Sequence, residues 1–305
     1  GFMKLKVAAA SIGACLLCAC STLAPMAQEQ KVASQFSTGA HSVSAAEMTF
    51  LHQVQSTECV NTFYNEAFAF AVAEKNARSH TYSSAPLDLL PTCQPTELTS
   101  AQLQSRQALL NLLTAYADSI EALMGGSSDQ AFDSSSESMA KGLQSDAKQA
   151  GFATITSNEV AGVNAAIDTI TSLIVDHHEY GNVKDAASKA EPSLESIVNV
   201  LKSENSSDAS GIQSKLGGIK NDFRIAVSAS RDHKGAASFL DIANAHTMLA
   251  SMTVAADPTQ LNAALDALVT ANKALASGDT TTARLVVSNL VSEGQKAVAI
   301  YNASK

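Results

Sequence analysis

The feature that most constrains this fold is a period. Val160, Val163, Ile167, Ile170 and Ile174 recur at intervals of three and four residues, the spacing that sets them on one stripe of an α-helix. A helix with one apolar stripe must bury it against another element. The spacing returns in Leu103, Leu110, Leu113, Ala117, Ile120 and Met124, a face that begins after Thr99-Ser-Ala-Gln102 and stops at Gly125-Gly126. It returns again in Ile212, Leu216, Ile219, Phe223 and Ala226, marking a helix to about Arg231. Nowhere do apolar and polar residues alternate between hairpin turns, so strands are not expected. The expected class is all-α, an antiparallel helical bundle of about seven to nine helices.

Capping patterns and breakers place the boundaries. Thr156-Ser-Asn-Glu159 is a capping box that opens the first stripe named above. Ser44-Ala-Ala-Glu47 has the same form and predicts a long helix from there to about Ala77. Its apolar side would carry Phe50, Val54, Phe63, Ala67, Phe68, Phe70 and Ala71, with Tyr64 beside them. Upstream, residues 20–43 show little apolar periodicity and read as a flexible tether with a mean reach of about 25–30 Å. Pro86, Pro91 and Pro95 make His80–Pro95 a loop. A weaker helix is expected over Asp129–Ala150, with Phe132, Met139, Leu143 and Ala147 inward. After the turn Tyr180-Gly181-Asn182 a helix starts near Val183 and is interrupted or restarted at Pro192. It continues through Leu194, Ile197, Val198 and Leu201, and Ser203–Ser210 reads as a polar turn. A shorter helix over Ala236–Met252 ends at Asp257-Pro258-Thr259, and Gln260–Ala276 and Thr280–Asn302 pair around Ser277-Gly278-Asp279. Asn164-Ala-Ala-Ile-Asp168 and Asn262-Ala-Ala-Leu-Asp266 are alike, leaving two alternatives: a duplicated helical hairpin, or coincidence between Ala-rich helices. The bundle is expected over 44–305, as one unit or as two subdomains split near residue 151.

The beginning of the chain carries a different signal. Lys4 and Lys6 precede an uncharged run from Val7 to Leu17 and then small residues, the tripartite pattern of a secretory signal. The run is shorter than the ~20 residues a membrane-spanning helix needs. Leu17-Cys18-Ala19-Cys20 resembles the lipobox of bacterial lipoproteins. The resemblance implies a signal peptide over residues 1–19 that is removed, and a lipidated Cys20 as the first residue of the mature chain. Two or three acyl chains anchor stably, whereas one binds only marginally. Ser21, where the class places Asp for inner-membrane retention, implies an outer-membrane lipoprotein facing the periplasm. The alternative is an ordinary signal peptide with Cys20 a free thiol. Cys15 and Cys18 form a CxxC, but inside the segment to be removed.

Cys59 and Cys93 are the cysteines beyond Cys20, and in an oxidising compartment an even pair is most simply a disulfide. Closing a loop of about 35 residues is worth roughly 3–4 kcal/mol in the chain-entropy account and would staple the proline-rich loop to the first helix. The alternative is two buried thiols. The formal net charge of −9 disfavours nucleic acid and anionic headgroups as direct partners. A nucleophile elbow, a P-loop, a dinucleotide-binding glycine motif and HExxH are all missing from the sequence. Asp176-His177-His178-Glu179 is dense in metal-ligand residue types. Adjacent histidines point about 100° apart on a helix, so it reads as a solvated helix end, and no metal or cofactor is expected. The expectation is a non-enzymatic docking or scaffolding subunit for an envelope protein. Two alternatives stand beside it. One is a carrier or sensor of an apolar small molecule lined by Phe50, Phe63, Tyr64, Phe68 and Phe70. The other is an inhibitor or immunity-type binder of a periplasmic enzyme.

Overall fold

The structure, a computed structural model, describes residues 27–59, 95, 98–124, 139–148, 154, 156–230, 249–250, 252–254 and 256–303. It is an all-α bundle, with no strand among the described residues. The helices are α1 (27–59), α2 (Ser100–Ala122), α3 (139–148), α4 (Ser157–Val175), α5 (Val183–Ser230), a short α6 (249–250 and 252–254), α7 (Thr259–Ser277) and α8 (Thr280–Asn302).

Local chemistry sets several ends. Both the Thr99–Gln102 and the Thr156–Glu159 capping boxes form, the threonine hydroxyl accepting from the third amide and the partner side chain accepting from the cap amide. Gly278, at φ 72°, closes α7 in the left-handed conformation, and Asp279 then caps α8 by accepting from the amides of Thr281 and Thr282. With only this two-residue turn between them, α7 and α8 pack as an antiparallel hairpin.

The stripes read from the sequence are core. Val163, Ile167, Ile170 and Ile174 of α4, Leu110, Leu113, Ala117 and Ile120 of α2, and Ile212, Leu216 and Ile219 of α5 are all buried. Buried apolar residues from Val32 to Tyr301, on both sides of residue 151, belong to one cluster. The long α5 runs against α4 and against α7. Its contacts with α7 descend in register: Ser188 bonds the Ala276 carbonyl, Lys202 pairs with Asp266, Asn205 bonds Asn262 and Gln213 bonds the Ala256 carbonyl, so the two are antiparallel.

Five expectations are corrected. Residues 27–43 are not a tether but the first part of α1, with Val32, Ala33, Phe36, Ala40 and Val43 on the stripe that continues into Phe50 and Val54. Ser44–Glu47 therefore lies inside a helix, and Glu47 is a buried side chain rather than a cap. Pro192 does not interrupt α5: it is exposed, as is Ser188, whose carbonyl loses its helical partner at the water-facing side where it can be solvated. Ser203–Ser210 is helix rather than turn, for reasons given below. In α3, Ala147 is buried as expected, but Met139 is 44% exposed and points outward.

A glycine seam joins α1 to α8. A Cβ added at Gly39 would lie 2.5 Å from Cγ of Leu290, and one at Gly294 would lie 2.8 Å from Cβ of Ser42 and 3.3 Å from the Gly39 carbonyl oxygen. The helices meet there because neither residue has a side chain. Gly142 and Gly217, by contrast, face open space on helix surfaces. Gly294→Ala is expected to cost about 1–3 kcal/mol through overpacking, and Gly217→Ala to add about 0.5–1 kcal/mol through helix propensity. Urea unfolding of the two variants against wild type checks the opposite signs.

Candidate functional site

The densest polar chemistry lies inside the bundle, where α1, α2, α5 and α7 converge. Arg106 of α2 is 3% exposed, and its guanidinium forks onto two carboxylates of α5, Nη2 to Glu204 and Nη1 to Asp208. The second oxygen of Glu204 accepts from the backbone amide of Thr154 at 2.7 Å and from its hydroxyl at 2.6 Å. Each oxygen of that buried carboxylate thus has a defined donor, which makes burying the ion pair tolerable.

One residue along α5, Asn205 extends the cluster. Its Nδ2 donates to Oε2 of Glu47 on α1 at 3.0 Å and to Oδ1 of Asn262 on α7 at 3.4 Å. Asn262 in turn donates to the Ser206 hydroxyl at 3.5 Å. Burial pushes the Glu47 carboxyl up to about 8, against the opposing pull of the Asn205 hydrogen bond and of Arg106, while Asp208 pushes it further up.

These residues explain why Ser203–Ser210 is helical. Glu204, Asn205 and Asp208 occupy the next positions of the stripe that runs Leu194, Ile197, Val198, Leu201 and then Ile212, Leu216, Ile219. The stripe is not broken there. It changes from apolar to polar for one turn because it faces Arg106, and the spacing of 201, 204, 208 and 212 is the signal that could have revealed it.

A second buried group ties α2, α7 and α5. The Tyr116 hydroxyl donates to Oδ1 of Asn272 at 2.6 Å, and Asn272 donates to the Ala187 carbonyl at 2.9 Å. Phe36 meets the Tyr116 ring edge-on at 6.3 Å. At the surface, Asp118 accepts from the Ser37 hydroxyl at 2.6 Å and sits 3.0 Å from His41 Nε2. Both residues address the carboxylate rather than each other, so the trio lacks the nucleophile–base contact of a hydrolytic site.

Two recesses open on the bundle. One, of about 260 Å³, lies where Val32 and Ala33 of α1 meet Met124, Val183, Leu275 and Ala283. The other, of about 360 Å³ and more open, lies between Leu216 and Gly217 of α5 and Thr253 and Ala256. Neither is lined by any residue of the buried cluster.

The residues singled out from the sequence fall as follows. Cys20, Cys93, Phe63, Tyr64, Phe68 and Phe70 lie outside the described residues. Cys59 is disulfide-bonded, and its pairing with Cys93 falls on a residue outside them. Phe50 is fully buried, its ring edge-on to Tyr301 at 5.8 Å, and it lines neither recess. His177 is not solvated as expected. It is 2% exposed on the 3-10 turn His177–Glu179, with Nδ1 3.0 Å from the Ile174 carbonyl oxygen. No group of three or more His, Cys, Asp or Glu side chains among the described residues is arranged to hold a metal ion. Compared with protein-family models, curated proteins and solved structures, the chain finds no match.

The cluster makes a sharp prediction. Arg106→Met removes the guanidinium that Glu204 and Asp208 share and is expected to cost about 3–5 kcal/mol. Replacing all three together, Arg106→Met with Glu204→Leu and Asp208→Leu, is expected to recover most of that loss. Urea denaturation of the single and triple variants checks both values.

Proposed function

We propose that this chain is a lipoprotein anchored through Cys20, and that its bundle is a non-enzymatic docking or scaffolding subunit for an envelope protein at the periplasmic face of the outer membrane. The observation that carries the reading is the early start of α1. The helix is under way at Ala27 and already packed into the core at Val32. From Cys20 to Ala27 is a short stretch of chain that, whatever its conformation, spans at most about 25 Å. The lipobox resemblance at Leu17–Cys20 and the rigid bundle are therefore joined with little slack. A scaffold held at a set height raises the effective concentration of its surface for a membrane-bound partner. No described helix is long and apolar enough to cross a membrane, so in this reading the lipid is the anchor. The Cys59–Cys93 disulfide belongs to the same proposal, as a staple at the other end of α1.

One observation favours a second reading. The recess of about 260 Å³ beside Val32 and Ala33 has mostly apolar walls, with Glu29, Lys184 and Asp279 also lining it, and is close to the low end of small-ligand sites. A carrier of a short apolar molecule would use this place rather than Phe50.

Cell fractionation with intact-mass measurement tests the anchor. Wild type is expected in the membrane fraction with the added mass of acyl chains, and Cys20→Ser in the soluble fraction without it. In-cell crosslinking is expected to recover a reproducible envelope protein with wild type and less of it with Cys20→Ser. An unmodified Cys20, or no recurring partner, contradicts the proposal.

A further inference from the structure

Two buried acceptors in the cluster have no donor among the described residues. They are Oε1 of Glu47 and Oδ1 of Asn205, and they belong to side chains already joined by the Asn205 Nδ2 to Glu47 Oε2 hydrogen bond of 3.0 Å. An ionised carboxylate offers only acceptors, so it leaves both buried atoms without a protein donor. A proton on Oε1 supplies the missing donor. The carboxylic acid and the amide then form a cyclic pair, N–H to oxygen on one side and O–H to oxygen on the other, while the second hydrogen of Nδ2 remains for Asn262.

We propose that Glu47 is protonated in the folded protein and donates to Asn205, making an acid–amide latch between α1 and α5 that weakens as the solution turns alkaline. The groups around it agree. Among the described residues Arg106 of α2 is the cation that acts on Glu47, and it is already engaged by Glu204 and Asp208 of α5. Asp208 disfavours a second negative charge here. From α7 the neighbour is the neutral Asn262, and from α8 it is Tyr301, whose hydroxyl burial holds in the neutral form. No described residue facing Glu47 offers an uncommitted positive charge, and burial raises its carboxyl to about 8.

The sign follows from linkage. The folded state holds a proton that the unfolded chain releases near the ordinary carboxylate range, so the contribution of Glu47 to stability is complete at low pH and is lost as pH rises to about 8. Glu47→Gln keeps the shape and replaces the O–H donor with N–H, so it mimics the protonated side chain at every pH. The ratio of unfolding constants, wild type over Glu47→Gln, is expected to rise about tenfold per pH unit between about pH 5 and pH 8 and then to level off. Urea unfolding of the two full chains across that range reads it. A ratio that stays flat overturns the latch. Infrared spectroscopy of wild type alone supplies a check that needs no variant. At pH 7 surface carboxyls are ionised, so a protonated-carboxyl stretch that disappears above about pH 8 supports the latch, and absence of such a band at pH 7 overturns it.

Discussion

A guanidinium that is 3% exposed must be matched or it destabilises the core that holds it. The rest of the bundle is arranged around that requirement. Arg106 projects from α2 into the space between α1, α5 and α7, and α5 answers with two carboxylates one turn apart. The i, i+4 relation of Glu204 and Asp208 exists only if that stretch is helical. The ion cluster therefore does more than join two helices: it holds a Ser-rich segment of poor intrinsic helix propensity in the middle of one continuous α5.

Around that centre the packing is of two kinds. Where helices carry Leu, Ile and Val, buried apolar stripes pack together, as α4 and α7 do against α5. Where α1 meets α8, Gly39 and Gly294 remove the side chains and the helices approach closely. Hydrogen bonds then fix register between helices whose small, similar side chains specify it poorly. Asn205 reaches α1 and α7, Asn272 reaches Tyr116 and the backbone of α5, and Gln53 reaches the carbonyl of Tyr301. An Ala-rich bundle without such bonds would have several packings of similar energy.

The all-α class, the two threonine capping boxes, the α7–α8 turn and the apolar stripes were legible in the sequence, because each rests on residues within one or two turns of each other. What could not be read depended on distant partners. Glu204, Asn205 and Asp208 resemble a solvated turn until Arg106, about a hundred positions away, is placed opposite them. Ser44–Glu47 resembles a helix start because a capping box and a buried Glu in mid-helix have the same letters. The upstream part of α1 was hidden by its composition: Val32, Phe36, Ala40 and Val43 keep the helical spacing, but Ser, Gln and Gly separate them and the alanine contributes little apolar weight. The disulfide partner of Cys59 and most of the phenylalanine-rich stretch fall outside the described residues, as does Cys20.

The claim on which this account turns is that α5 is a single helix held through its polar middle by Arg106. Native-state amide hydrogen exchange at residues 203–210 tests it most directly. The account predicts that these amides exchange only with global unfolding, as protected as those of Leu194–Leu201, and that Arg106→Met lowers their protection more than that of residues in α8. Exchange at residues 203–210 at the rate of an exposed turn, with Leu194–Leu201 still protected, would contradict it.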